Sequence, residues 1–451
     1  MNRAVTALYP RRHAIVLGAC LLAGAVALLW PAIDNGYLFV NIDSGRHLGP
    51  GRNFSVAYPP YYNLWLFPLY EWNLAWLVGL AQAGLAVSLI ALALRFVART
   101  PSAGALALTV AALAVGTALP FAASTALPDA LSAVGLLAIV LAPQSPRGWR
   151  APLAFVAMGS TLVHYSHLPI YAAALGASFG LQAVVRRRAF RMARFREAAA
   201  ALLLALGVQM GTNWAFYGRA SYSISGPVFV LARLQQDGPA TWFLREQCPN
   251  PAYRLCGVLD QLPAPSDDFL WEEQGAVKQL GDFQELSGEA SRVVAGAVRA
   301  YPWETARMLW RNSIEQLGLV VAFAVPTRRE EWMLEIAAIY PPVLAALESA
   351  KQYEDGYWPA GLGKAHERVM AASALLLVPL TALALRRRES RAAAIFALSI
   401  AAGYAMNAIV TGGLSRPVAR YSGRIAWLIP FAVLVLAFSL ARGLRRSGGR
   451  G

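Results

Sequence analysis

Long apolar runs alternate with short arginine-rich tracts along this chain. The runs lie near 14–30, 72–94, 103–120, 130–142, 151–163, 168–185, 198–217, 369–385, 392–411 and 425–441. Several reach the ~20 apolar residues that a helix needs to cross a bilayer, although 130–142 and 151–163 are short. The pattern predicts an all-α polytopic membrane protein with about ten transmembrane helices. One long interruption, 218–368, has the length of a small domain. It reads as mainly helical: "GEASRVVAGAVRAYPWETARMLWRNSIEQLGLVV" offers two amphipathic helices, with Pro302 suited to the first turn of the second. On that second helix Trp303, Ala306, Trp310, Ile314, Leu317 and Val321 recur at helical spacing. Such a stripe either packs on a domain core or lies along a membrane surface. The organisation is therefore a seven-span module over 1–217 with a first outer loop at 31–71, a helical extracytoplasmic domain over 218–368, and three C-terminal transmembrane helices over 369–451.

Composition supports the membrane reading. The chain is 57% hydrophobic and 14% charged, against roughly a quarter charged in soluble domains. A net charge of +15 would suit nucleic acid, but its distribution argues otherwise. Arginines gather in "YPRRH", "RFVART", "SPRGWR", "RRRAFRMARFR", "LRRRESR" and "ARGLRRSGGR", at the ends of apolar runs. The positive-inside rule puts such tracts in the cytoplasm. Both termini are then cytoplasmic, and 31–71, 121–129, 164–167, 218–368 and 412–424 face outward. The first apolar run continues past any plausible cleavage site, so it reads as an uncleaved span. A bacterial cytoplasmic (inner) membrane fits this layout and the preference for arginine over lysine. No Gly-rich phosphate loop is followed by Lys-Ser or Lys-Thr, and no nucleic-acid partner is expected. Cys248 and Cys256, close together in the outward segment, are expected to pair in an oxidising compartment; the alternative is two free thiols.

The outward loops hold the candidate chemistry. "NIDSGRHLGPGRNFSVAYPPYYNLW" crowds Asp43, Arg46, His47, Arg52, Tyr58 and Tyr61 between two apolar runs, far more than a connector needs. "DSGRHL" suits a short helix that Asp43 would cap, stopped at Gly49-Pro50-Gly51. Asp129 lies at the outer start of the fourth run, where capping is the default role for an acid and membership of an outer pocket is the sharper one. His164 and His167 lie three apart. A metal would need a third ligand that the sequence does not reveal, so they are expected to line a pocket. Arg416, Arg420 and Arg424 recur every four residues, hence on one helical face, against the positive-inside trend. They require an anionic partner. A lipid phosphate matches guanidinium geometry; Asp267, Asp268, Glu272 or Glu273 would supply an ion pair instead.

A first span followed by an outer loop with Asp43, a short helix, a Gly-containing turn and the aromatic "PPYY" resembles the GT-C-fold glycosyltransferases over about 1–217. The resemblance implies a seven-span module and a polyprenyl-phosphate sugar donor. It also implies transfer at the outer face to an envelope glycan, lipid or protein. It implies Asp43 as the acceptor's base and Asp129 as a second acid. Arg416, Arg420, Arg424 and Arg46 would then hold the donor phosphate, with His47, Arg52, Tyr58, Tyr61, His164 and His167 around the pocket. Ser44 follows Asp43 where the family frequently has an adjacent acidic pair, so no metal cofactor is expected. Two other readings stand beside it: a transporter or flippase for a lipid-linked saccharide, and a non-catalytic envelope assembly protein. The predicted spans carry no ionisable residue near their centres, only Gln82, Gln209 and Asn407 as the main polar intrusions. That favours chemistry at the outer face over transport.

Overall fold

The computed structural model describes residues 3–40, 42–48, 56–248, 253–320, 340–353 and 361–448. Among these there is no strand, only an isolated bridge between Phe39 and Thr125. The first half runs α1 (Arg3–Leu28), α2 (Trp30–Asn35), α3 (Ile42–Leu48), α4 (Tyr61–Glu71), α5 (Trp76–Ala93) and α6 (Ala103–Gly116). It continues with α7 (Leu119–Ser124), α8 (Ala130–Leu141), α9 (Arg147–Leu162), α10 (His167–Arg186) and α11 (Arg196–Tyr217). The local signals are ordinary ones. The Ser102 hydroxyl accepts the Ala105 N–H at the head of α6, and Gly36 ends α2 at φ 86°, a left-handed geometry that glycine adopts without penalty.

The second half begins with α12 (Gly226–Asp237), α13 (Pro239–Gln247), α14 (Ser266–Trp271), α15 (Ala276–Gln279), α16 (Phe283–Ala300) and α17 (Pro302–Gly318). Then follow α18 (Pro341–Glu348), α19 (Leu362–Arg386), α20 (Arg391–Asn407), α21 (Ala419–Ala426) and α22 (Leu428–Gly448). Ala408–Gly413 extends α20 with a wider turn.

Among the described residues six helices are long and apolar enough to cross a membrane: Trp76–Ala98, His167–Arg186, Met192–Tyr217, Leu362–Arg386, Arg391–Gly413 and Ala419–Gly443. The chain is thus an all-α, multi-pass membrane protein by the length and composition of its helices. Three shorter apolar helices, Ile15–Leu28, Ala103–Gly116 and Ala130–Gln144, occupy other expected spans. At 1.5 Å per residue the last two reach only about 21–23 Å of the ~30 Å hydrocarbon layer, whereas Ile15–Leu28 is the C-terminal part of the 26-residue α1. The remaining expected span, 151–163, falls in α9, which carries Pro152.

α8 forms the centre of the bundle. Every one of its residues is buried, as expected of a helix that is apolar all round. It packs against α5, α9, α10 and α20. Gly135 admits the Tyr171 ring of α10, which a Cβ would displace; the Tyr171 hydroxyl donates to the carbonyls of Leu131 and Ser132.

A second hydrophobic core gathers α12 to α16 around Leu231, Leu255, Phe269, Val277, Leu286 and Val293. Ala57, with Val56 and Tyr58, reaches into it from the first loop. Cys248 and Cys256 are joined by a disulfide at its edge, their Cα atoms 5.3 Å apart. Among the described residues this core extends to Met308, with Leu309 packed against it. Residues 340–353 return to the main bundle instead. Tyr340 meets the rings of Phe67 and Tyr70, Lys351 pairs with Asp34, and the Gln352 N–H donates to Asn35 Oδ1 at 2.7 Å.

The stripe on α17 does not pack on that core. Trp303, Trp310 and Ile314 are exposed, while Met308, Asn312, Ser313 and Gln316 are the buried residues of the helix. The reason is the close approach of Gly412 and Gly413 to Leu309, Ser313 and Gln316. Two successive glycines let polar side chains lie tightly against backbone, where indoles would not fit. Val321 lies outside the described residues.

Candidate functional site

The single bridge in the fold organises the site. The Phe39 N–H donates to the Ser124 carbonyl at 2.9 Å, and the Ala126 N–H donates to the Phe39 carbonyl at 3.0 Å. The two segments run parallel with Phe39 opposite Thr125. Asp43 is four residues beyond the first position and Asp129 four beyond the second, so both carboxylates are delivered to the same side. The Ser44 hydroxyl, donating to the Ala126 carbonyl at 2.9 Å, fastens α3 to the same strip.

Arginines from α21 meet these acids. Arg420 and Arg424 are one helical turn apart and share a face. Arg420 Nη1 lies 2.5 Å from Asp43 Oδ2, and its Nε lies 3.5 Å from Asp129 Oδ2. Arg424 is ion-paired to the other oxygen of Asp129 and donates to Ser166 Oγ and Asn407 Oδ1, both at 3.1 Å. The result is a closed chain of alternating charge, Asp43, Arg420, Asp129, Arg424, with no net charge. Neutrality matters, because an unpaired ion in such surroundings would cost several kcal/mol. Burial alone would raise the Asp129 carboxyl; the Arg424 and Arg420 guanidiniums outweigh it and hold it well below the usual carboxylate range.

Arg416 lies in the extended segment before Ala419, so the helical face expected for three arginines holds only Arg420 and Arg424; accessibility nonetheless falls from one arginine to the next. The Arg416 side chain is 45% exposed, that of Arg420 16%, and that of Arg424 0%. Arg416 pairs with Asp267, one of the acids named from the sequence. Arg424, expected on a donor phosphate, is fully enclosed, and its terminal nitrogens are taken up by protein groups. Asp129 stands at the N-cap of α8 but makes no capping hydrogen bond; the arginines take its oxygens, so the capping role is overturned. Asp43 lies within the first turn of α3, not ahead of it. Its second oxygen accepts from the Tyr58 hydroxyl at 3.3 Å.

Aromatic groups wall the cluster. The His47 ring meets Tyr58 and Tyr62 edge-on, with centroids 5.7 and 5.3 Å away, and its Nδ1 bonds Asn63 Oδ1. Burial pushes the His47 imidazole below its usual value, in spite of Asn63 and the two aspartates. Trp271 of α14 stacks on Tyr58 within 5° of parallel, at 6.4 Å. That short helix therefore touches the site twice, through Asp267 and through Trp271, while Asp268 and Phe269 line a cavity of about 330 Å³ together with Glu272, Glu273 and Gln274.

His164 lies behind Arg424. Its Nδ1 accepts the Ser166 N–H at 3.1 Å, and its ring stacks on His167 at 5.1 Å. Burial, then Arg424, push the His164 imidazole well down. His167 is held by Ser132 Oγ at 2.6 Å and by the Ser160 carbonyl, so it supports α8 and α9 and does not line an opening. Tyr61, expected in the pocket, bonds Thr212 of α11 instead. The backbone at Arg46 belongs to α3, but its side chain lies outside what is described, and Arg52 lies outside the described residues altogether. Among the described residues no three His, Cys, Asp or Glu side chains gather as metal ligands do.

Asn63, Ser166 and Asn407 were not anticipated from the sequence as members of the site, nor were Ser44, Tyr62 and Trp271. For Asn407 a signal existed, since a lone amide within an apolar span calls for a buried polar partner; its Oδ1 receives Arg424, and its Nδ2 donates to the Tyr421 carbonyl at 2.9 Å. No family model matches this chain, and no significantly similar curated protein or solved structure was found.

Proposed function

We propose that the chain is a membrane-integral glycosyltransferase of GT-C type, with about ten spans and both termini cytoplasmic. It would move a sugar from a polyprenyl-phosphate donor to an envelope acceptor at the outer face of a bacterial inner membrane. The observation that carries this reading is Arg420, shared between Asp43 and Asp129 at the partly open edge of an otherwise enclosed ion chain. The Arg420 side chain is 16% exposed, so an added anion can reach its guanidinium.

The chemistry follows from that sharing. A donor phosphate entering at Arg420 competes with Asp43 for the guanidinium and releases Asp43 Oδ2. The freed carboxylate accepts the proton of the acceptor hydroxyl as that oxygen bonds to the anomeric carbon. The bond from that carbon to the phosphate oxygen breaks, and its electron pair leaves on the polyprenyl phosphate, whose charge Arg420 offsets. Attack opposite the leaving group gives inversion. Arg424 and Asp129 act as positioning residues, holding Arg420 from behind. Arg416 stands at the rim, and Tyr58 fixes Asp43 from the other side. A saccharide transporter would use polar groups within its spans for cargo. Here Gln82 is engaged by Tyr62 and the carbonyls of Ala123 and Thr125, and Asn407 is engaged by Arg424.

The test is mass spectrometry of envelope lipids and glycans from cells making wild-type protein or Asp43→Asn at matched levels. A sugar addition lost in the variant, with unmodified acceptor accumulating, is the expected result. An addition that survives the substitution removes Asp43 from the base role. The absence of any envelope difference between wild type and a deletion strain overturns the transferase reading.

A further inference from the structure

α17 carries an apolar face that the protein leaves bare. Trp303 is 76% exposed, Trp310 70% and Ile314 47%. At 100° per residue these three and Arg307 fall within about 60° of one another. Arg311 follows on the same edge and stays largely exposed while paired with Asp237. Glu304 and Glu315 follow about 20° and 40° beyond Arg311 on that side. Two indoles and an isoleucine beside arginines form the pattern of a helix lying in a bilayer interface.

The opposite face decides where this stripe sits. Gln316 donates to the Val418 carbonyl at 2.8 Å and to Ser422 Oγ at 2.7 Å, and its Oε1 accepts the Val418 N–H at 2.8 Å. The Ser422 hydroxyl donates back to the Gln316 carbonyl at 2.6 Å. Leu309 and Ser313 lie against Gly413, and Gln316 against Gly412. The Tyr404 hydroxyl reaches the Leu317 carbonyl at 3.0 Å. α17 is therefore fastened to the ends of two helices long enough to cross the membrane, Arg391–Gly413 and Ala419–Gly443. A face turned outward from such an attachment meets the surface of the bilayer.

We propose that the Trp303–Trp310–Ile314 stripe of α17 seats in the lipid headgroup layer, with Arg307 on a lipid phosphate. Indole rings favour that depth, where one edge is apolar and the N–H is wet. The consequence reaches inward. Gln316 grips Val418 and Ser422, which bracket Arg420, so the helix that touches lipid also sets where α21 presents its arginines. This inference does not rest on glycosyl transfer.

The experiment uses the full chain in nanodiscs of phosphatidylcholine and phosphatidylglycerol, in a Cys20→Ser background, since the other two cysteines are joined. An environment-sensitive fluorophore is placed at Ala306→Cys, on the stripe's edge, or at Lys278→Cys, an exposed position in α15. Lipids carrying a nitroxide at the headgroup or high on the acyl chain are expected to quench the label at 306 several-fold more than the label at 278. Equal quenching at both sites, or a label at 306 shielded from lipid and water alike by protein, overturns the proposal. A label-free check uses Trp303→Phe with Trp310→Phe. Lipids brominated near the glycerol should quench less of the tryptophan emission in this variant than in wild type, and unchanged quenching again overturns the proposal.

Discussion

Asp129 and Arg424, 295 positions apart in the chain, form an enclosed ion pair between the start of α8 and the end of α21. Removing one partner leaves the other charged, buried and unmatched, at about 3–5 kcal/mol. Asp129→Asn should lower thermal stability by that order in detergent or nanodiscs. The double change Asp129→Leu with Arg424→Met should recover most of the loss. Because the carboxyl is held low in the folded protein, its contribution is complete above the ordinary carboxylate value of about 3.9 and fades as pH falls below it. Unfolding followed from pH 5 to pH 3 should steepen in wild type and flatten in Asp129→Asn.

Arg416, Arg420 and Arg424 should differ in effect as they differ in depth. Arg416→Ala removes an ion pair that is nearly half exposed on both sides and should change stability by no more than about 1 kcal/mol. Arg424→Ala should destabilise by about 3–5 kcal/mol. Arg420→Lys keeps the charge but not the fork that reaches two carboxylates; it should fold and yet slow sugar addition to the envelope by about tenfold or more. Equal destabilisation by all three substitutions in calorimetry would contradict the gradient.

His47 should make the fold sensitive to mild acid. Burial lowers its imidazole from the ordinary value of 6.5, so the unfolded chain takes up the proton first. Its contribution is whole above about pH 6.5 and is lost as pH falls toward the depressed folded value. His164, lowered by burial and Arg424, acts in the same direction. The melting temperature of wild type should fall between pH 7.5 and pH 5. In His47→Gln that fall should be smaller, and parallel curves would remove His47 from the account.

The disulfide closes a short loop beside the second core, a sequence separation of 8. On the chain-entropy model a loop of that length is worth about 2–3 kcal/mol. Cys248→Ser with Cys256→Ser should lower the stability of the α12–α16 unit by that order. Intact-mass measurement without reductant should find the bond formed in protein taken from the membrane; its absence there would argue against an oxidising outer compartment for 218–368.

The sequence makes the long helices plain, because an unbroken apolar run admits few other structures. It also gives the common face of Arg420 and Arg424, and Asp267 among the four acids that could pair with the arginines; the extended segment at 416–418 breaks the helical period before Arg416 joins that face. The partners of Arg420 and Arg424 are hidden for a different reason. Asp43 and Asp129 are brought to them by a parallel bridge between residues 39 and 125, a contact that no local periodicity encodes. The orientation of α17 is hidden too. Its hydrophobic stripe has the right period, yet the close glycines at Gly412 and Gly413 select the polar side for burial. Periodicity identifies an amphipathic helix; it does not say which environment receives each face.

The bridge between Phe39 and Thr125 has a last implication. Each aspartate stands four residues downstream of its bridging position, so the two acids are placed by counting. One residue inserted or deleted between a bridging position and its aspartate would break that count and carry the carboxylate away from Arg420. The protein keeps its charges in register as a ruler does, by the distance between marks.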